Sequence, residues 1–360
     1  MNKINLGGIF IDNESSPYII AEIGVNHGGS ISQAKRLIDL AKEGGANAAK
    51  FQTYKADTLA SKNSPAYWDL KSEPTKSQYE LFKKYDSFNE DQYKELSEYC
   101  SSINIEFLST PFDDKSIDFL DNMMHFFKIA SADITNLPFL KKIAKKGKPV
   151  VISTGASTLE EIDDALNVLK ENKCKDIALL HCILNYPTMD ENAHLEMISS
   201  LKKLYPEHII GYSDHTLPND SMTPLVVAYL MGAKIIEKHF THDKTLPGND
   251  HYHSMDVTDL KNFKTIVSQI DILKGLEKIK KPVKTEEVSR RNARRSVVSN
   301  GKINKGDVIT QEMLVAKRPG TGLEPKYIDT IIGSVAKDDI EDDTLLSLSS
   351  FDFNHKFDKQ

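Results

Sequence analysis

Two histidines sit at the ends of short hydrophobic runs. His215 follows Ile209-Ile210-Gly211-Tyr212-Ser213-Asp214, and His239 follows Lys234-Ile235-Ile236-Glu237-Lys238. Both runs read as buried parallel strands, each followed by a helix-like segment. A side chain at the C-terminal end of such a strand enters the mouth of an α/β sheet or barrel, where ligands bind. Taken singly, each histidine reads as a strand cap bonded to backbone. As a pair from adjacent strand ends, they could hold one divalent metal and leave positions open for substrate and water.

Lys50 and Lys128 strengthen that reading. Each interrupts an otherwise apolar run, and an unpaired buried ammonium is costly. A core salt bridge to Glu22 is the structural alternative for Lys50. Glu22, Thr110, Ser131, Ser153 and Ser213 also fall at or near strand ends, and Gln52 shares a strand face with Lys50. Hydroxyls and lysines converging at one mouth are what a phosphate or carboxylate needs, through charge-assisted hydrogen bonds.

The elements that must position these groups alternate regularly. Strand-like runs occur at 18–24, 48–54, 105–111, 126–131, 149–155, 177–182, 209–214 and 234–240. Helical patterns lie at 32–44, 89–102, 136–146, 158–171, 193–204, 219–231 and 258–274, with Ser30, Asn89 and Ser157 as N-caps. Eight β-then-α units in about 275 residues are the count and length of a closed parallel (β/α)8, or TIM, barrel. A doubly wound open sheet is the competing fold. The barrel is preferred because polar residues end every strand, and only a barrel lets one site draw on all of them.

The pattern changes near residue 280. Residues 281–290 read as a linker, charged and proline-containing, and 291–352 as a small, mostly β domain with the Asn300-Gly301 turn signal. Residues 353–360 read as a frayed tail. The barrel domain is expected over 1–280.

Composition bounds the function. With 39% hydrophobic and 27% charged residues, the 360-residue chain can bury a large core as a soluble protein. A net charge of -6 argues against a general nucleic-acid binder. The three cysteines, Cys100, Cys174 and Cys182, are odd in number and widely spaced. They indicate neither a disulfide framework nor a CxxC zinc site and suit a reducing cytoplasm. No segment reaches the roughly 18 apolar residues of a membrane span, so no membrane partner is expected.

The phrases AEIGVNHGG (21–29), KFQT (50–53), STPFD (109–113), KIAS (128–131), STGAS (153–157), LHCILNYPT (180–188), GYSDHT (211–216), EKHFT (237–241), LPGNDH (246–251) and KRPGTG (317–322) resemble the sialic acid synthase family. These are phosphoenolpyruvate-dependent nonulosonate synthases, a barrel followed by a C-terminal antifreeze-like (SAF) domain. The resemblance runs in order over residues 8–350, and the combination of SDHT, KHFT, PGxD and KRPGxG is highly specific. It implies condensation of phosphoenolpyruvate with the open-chain aldehyde of an N-acetylmannosamine-type sugar, releasing phosphate.

The resemblance also implies residue roles. His215 and His239 would bind a divalent metal, usually Mn2+, with Mg2+ or Co2+ as alternatives. Lys50, Thr110, Lys128, Ser131, Ser153 and Ser213 would hold phosphoenolpyruvate. Glu22, Lys50, Gln52 and Asp250 would serve catalysis, and Asp133, Tyr186, Asp250 and Arg318 would contact the sugar. A domain-exchanged homodimer is expected.

Three departures matter. Asp133 stands where sialic-acid-making members commonly carry glutamate. Leu184 occupies a position where some members have a phosphate-facing asparagine, with Asn185 one residue later. His251 and His253 follow Asp250 with unusual polarity; they could contact substrate or metal, but read better as exposed loop histidines, and His27 carries the same ambiguity. The alternative substrate is therefore a 2,4-diacetamido-6-deoxy hexose leading to a legionaminic- or pseudaminic-type acid. Two further classes compete: a Schiff-base aldolase using Lys50 or Lys128 as nucleophile, and a non-catalytic sugar- or ice-binding protein.

Overall fold

Short, fully apolar stretches punctuated by one polar residue form strands buried on both faces, as helices on a parallel sheet require. In the computed structural model, which describes residues 2–68, 70–71, 73–248 and 250–353, the chain divides into two units, Met1–Lys274 and Gly275–Gln360. The first begins with an antiparallel hairpin, β1 (Lys3–Leu6) and β2 (Ile9–Asp12). Then come β3 (Tyr18–Gly24), β4 (Ala48–Thr53), β5 (Glu106–Pro111), β6 (Phe127–Ile129), β7 (Val150–Ser153), β8 (Ile177–Cys182), β9 (Ile209–Asp214) and β10 (Ile235–His239).

These eight strands are parallel in the order β5-β4-β3-β10-β9-β8-β7-β6. The two ends of that order, β5 and β6, pack side by side, so the sheet curls into the TIM barrel expected. The observed strands coincide with the sequence pattern to within one or two residues at nearly every boundary. Gly211 shows how closely β9 and β10 approach: a Cβ there would lie 2.4 Å from the Ile235 carbonyl oxygen.

The helices follow their caps. Ser30 caps Ile31–Gly44, and Asn89 caps Glu90–Ser102 through a reciprocal bond with Gln92. The cap expected at Ser157 lies one residue on: Thr158 accepts from Glu161 N–H, and the Glu161 carboxylate accepts from Thr158 N–H. A short helix at Asp114–Leu120, absent from the periodicity reading, links β5 to β6. No helix among the described residues is long and apolar enough to cross a membrane.

The hairpin closes the N-terminal end of the barrel. Ile4, Leu6 and Ile11 join the main core, and Lys234, just before β10, donates to the Ser15 carbonyl at 2.7 Å. Above them Tyr18 and Phe126 meet edge to face at 6.1 Å.

In the second unit, β11 (Ser296–Ser299) pairs with β12 (Leu314–Lys317), and β13 (Val335–Ala336) with β14 (Phe351–Asp352), all antiparallel. Their core is Val297, Ile303, Ile309, Ile331, Leu346 and Phe351. A helix at Glu287–Ala293 occupies part of the stretch that reads as a linker. The expected tail lies, from Asn354 onward, outside the described residues.

Candidate active site

Alternation along a strand decides which side chains reach the barrel axis. On β10, Glu237 and His239 share one face and Lys238 takes the other. On β9 and the residue after it, Ser213 and His215 share a face, with Asp214 opposite. The inward set meets in a buried network. Lys50 Nζ lies 2.6 Å from Glu22 Oε2, 3.8 Å from Glu237 Oε2 and donates to Thr110 Oγ1 at 3.0 Å. Lys128 Nζ donates to Ser153 Oγ at 2.7 Å and lies 3.4 Å from Glu237 Oε1. Ser213 donates to Glu237 at 2.9 Å, and Gln52 to Glu22 at 2.8 Å.

Burial sets the electrostatics. It works against charge on Glu237, but Lys128, Lys50 and the Ser213 hydroxyl win and hold its pKa at about 2. Glu22 goes the other way: burial raises it, and Lys50 only partly offsets this. Burial lowers Lys128. Lys50 is also disfavoured by burial, yet Glu22 and Glu237 together carry its pKa upward, so it keeps its proton. Two carboxylates in one site are thus pushed apart. Lys128 and Lys50 favour the anion at Glu237, and burial favours the protonated form at Glu22.

The outward set holds the wall. Lys238 and Asp214 form a fully buried ion pair at 2.5 Å. Lys238 also donates to the Thr216 carbonyl, and Asp214 accepts from Thr216 N–H and Tyr212 hydroxyl. The Ser-Asp-His-Thr turn is thereby clamped, and His215 with it.

His215 Nδ1 donates to the Ile183 carbonyl at 2.8 Å, which fixes the ring and turns Nε2 to the cavity. Burial, then the nearby His239, lowers its pKa to about 4. The His215 and His239 rings are 5.5 Å apart. His239 Nδ1 lies 3.4 Å from Asp250 Oδ2 and has no hydrogen-bond partner. An imidazole nitrogen facing a carboxylate, with a second imidazole 5.5 Å away, is donor chemistry that a divalent ion takes, so the residues present fit a metal.

One cavity is lined by twelve residues that the sequence singled out: Glu22, Lys50, Gln52, Thr110, Lys128, Ser131, Asp133, Ser153, Tyr186, Ser213, His215 and His239. Asp250 lines the adjoining one, beside Tyr54, Tyr67, Trp68, Phe82 and Tyr85. Ser131 Oγ accepts from Gly155 N–H, and burial raises the Asp133 carboxyl. Arg318 stands exposed in the second unit, at the Arg318-Pro319 bond that follows β12.

Four points go beyond or against the sequence pattern. Leu184 lines the cavity and Asn185 is exposed, so Asn185 does not take its place. His253, expected exposed, is fully buried, and His251 is half-buried with its Nδ1 bonded to Thr241 Oγ1. His27 is a core residue, stacked 4.2 Å from Phe88 with its Nδ1 accepting from Gly29 N–H. Glu237, unremarked between Ile236 and Lys238, is the hub of Lys50 and Lys128. Its spacing of two from His239 was the available signal.

The NeuB family model matches residues 37–279, and a SAF domain model matches 294–352. The chain is 43% identical to the N,N'-diacetyllegionaminic acid synthase of Legionella pneumophila, over 88% of this chain and 89% of that one. It is 32% identical to human N-acetylneuraminate-9-phosphate synthase, over 94% of each. The crystal structure of an N-acetylneuraminic acid synthetase from Leptospira borgpetersenii superposes with a TM-score of 0.70 at 35% identity, covering 80% of this chain and 95% of that one. A two-domain barrel enzyme of the phosphoenolpyruvate-dependent synthase class is thereby defined. The chain belongs to the NeuB family, that of the sialic acid synthases.

Proposed function

We propose that this enzyme condenses phosphoenolpyruvate with the open-chain aldehyde of a 2,4-diacetamido-6-deoxy hexose, giving a legionaminic-type nonulosonic acid and phosphate. The observation that carries the sugar choice is the identity gap: 43% to a legionaminic acid synthase against 32% to an N-acetylneuraminate-9-phosphate synthase. Aromatic walls from Tyr54, Tyr67, Trp68 and Phe82 around the outer cavity suit a second acetamido group and a methyl group better than hydroxyls. N-acetylmannosamine, the first expectation from sequence, becomes the competing substrate.

In this reading the Lys50 and Lys128 ammonium groups, with Thr110, Ser131, Ser153 and Ser213, hold the phosphate and carboxylate of phosphoenolpyruvate. Carbon 3 of the enol attacks the aldehyde carbon, and the cation left at carbon 2 takes up water. Glu22 accepts one proton of that water, and the former aldehyde oxygen takes up a proton to become a hydroxyl. The adduct then breaks its carbon 2–phosphate oxygen bond as its new carbon 2 hydroxyl yields the second proton, which leaves with phosphate, giving the keto acid. Burial holds both substrates in register away from bulk water. His215 and His239 would hold a divalent metal such as Mn2+, whose chemistry is Lewis acidity toward an oxygen that gains negative charge. The proposal extends to a cytoplasmic homodimer. Ile272 and Leu273, exposed at the end of helix Val257–Lys274, are apolar surface that a second subunit would cover.

The test is phosphate release from phosphoenolpyruvate with Mn2+, comparing the diacetamido sugar with N-acetylmannosamine, each with and without chelator. Chelator-sensitive release with the diacetamido sugar alone is expected. Preference for N-acetylmannosamine would overturn the sugar assignment. Borohydride trapping of a keto acid on Lys50 or Lys128, with no phosphate released, would establish the aldolase instead.

A further inference from the structure

The loop after β10 packs a third imidazole against the His239 and Tyr186 rings that line the mouth, and the proposed mechanism does not use it. His253 is fully buried, and neither ring nitrogen has a hydrogen-bond partner. Buried polar groups are ordinarily bonded, so two bare nitrogens on one ring need an explanation. Its neighbours supply one. One donor atom each from His239, Asp250 and His253 all lie within 4.8 Å of one another. The His253 ring is 4.7 Å from that of His239 and 6.2 Å from that of His215. Imidazoles bound to one ion through nitrogens about 2.0–2.1 Å from it have ring centres roughly 4.5–6.5 Å apart.

The loop is also fastened in place. Met255 N–H donates to the His239 carbonyl at 2.8 Å, and Thr241 N–H to the Met255 carbonyl at 2.9 Å. Asn26 donates to the Ser254 hydroxyl and to the Phe240 carbonyl. His253 is therefore held against the strand end that bears His239.

We infer that His253 is a direct metal ligand, grouped with His239 and Asp250 and joined by His215 from the neighbouring strand end, so that three imidazoles and one carboxylate meet one ion. The inference rests on the reading of His215 and His239 as metal residues and adds a ligand to it. Three nitrogens favour borderline ions such as Co2+ or Zn2+ over the harder Mn2+, and Mn2+ in turn over Mg2+, which prefers oxygen and retained water.

The experiment is X-ray absorption on the full-length protein loaded with Co2+ or Zn2+, which counts bound imidazoles, together with Kd values by equilibrium dialysis for Mn2+ and Mg2+. Three imidazoles are expected in the wild type and two in His253→Phe, which keeps the ring volume. The variant's Mn2+ Kd should rise about tenfold or more, with an unchanged far-ultraviolet spectrum. Two imidazoles in the wild type would overturn the role of His253 and leave the His215–His239 site standing. No stoichiometric binding of any of the four ions would overturn both. The wild-type count decides the matter even if the variant fails to fold.

Discussion

The two ends of this barrel are built from the same strands and opposite chemistry. On β3 the change takes four residues. Tyr18 packs on Phe126 at the floor, and Glu22 meets Lys50 at the mouth. The floor is stabilised by apolar burial under the hairpin and carries few charges. The mouth buries two lysines, two glutamates and three histidines, an arrangement that stabilises little because desolvation offsets the attraction of the pairs. Stability is thus gathered at one end and reactivity at the other.

Substitutions can break that division. The largest effect is expected at the mouth. His215→Ala and His239→Ala should each cut phosphate release at least about a thousandfold with little change in melting temperature, and near-native turnover would sink the division at once. Behind the mouth, Lys238→Met leaves Asp214 as an unpaired buried carboxylate. It should lower unfolding free energy by about 3–5 kcal/mol in a urea titration and weaken Mn2+ binding as His215 loosens. At the floor, Phe126→Ala should cost a similar 3–5 kcal/mol or so, while turnover per folded molecule stays at the wild-type value. Loss of turnover there would mean that the floor and mouth are coupled.

The smallest effect concerns His208, just before β9. Burial lowers its pKa, against the hydrogen bond that its Nδ1 makes to the Ile177 carbonyl. A base depressed in the folded state contributes stability above its unfolded pKa, near 6.5, and loses it as pH falls through the folded value. Stability of the wild type should therefore drop on acidification below about pH 6.5, by at most about 1.4 kcal/mol per pH unit from this group. His208→Gln should flatten that slope, and an unaltered slope would remove His208 from the account.

Much of this was legible in the chain. Strand positions followed from apolar runs ended by polar residues, and His215, His239, Lys50 and Lys128 stood out because each breaks such a run. Glu237 did not, because one acid between Ile236 and Lys238 looks like ordinary strand punctuation. Only the closing of the barrel brings both lysines to it. His253 was misread for a different reason. A loop of Asp, His and Tyr has surface composition, and the backbone bonds that fold Ser254 and Met255 against β10 leave no trace in local pattern. The hairpin at Lys3–Asp12 was hidden likewise, since its burial depends on a barrel floor that sequence alone does not display.

The outward pair of Lys238 and Asp214 has a practical consequence for redesign. Positions 213, 215, 237 and 239 face the cavity, so substitutions there act on the reacting groups and are read first in turnover. Positions 214 and 238 interleave with them yet belong to the scaffold. A library that randomises the whole Ser-Asp-His or Glu-Lys-His stretch would discard most of its members as unfolded chains, whereas one that skips every second codon would keep the wall and report what each cavity-facing residue does for turnover.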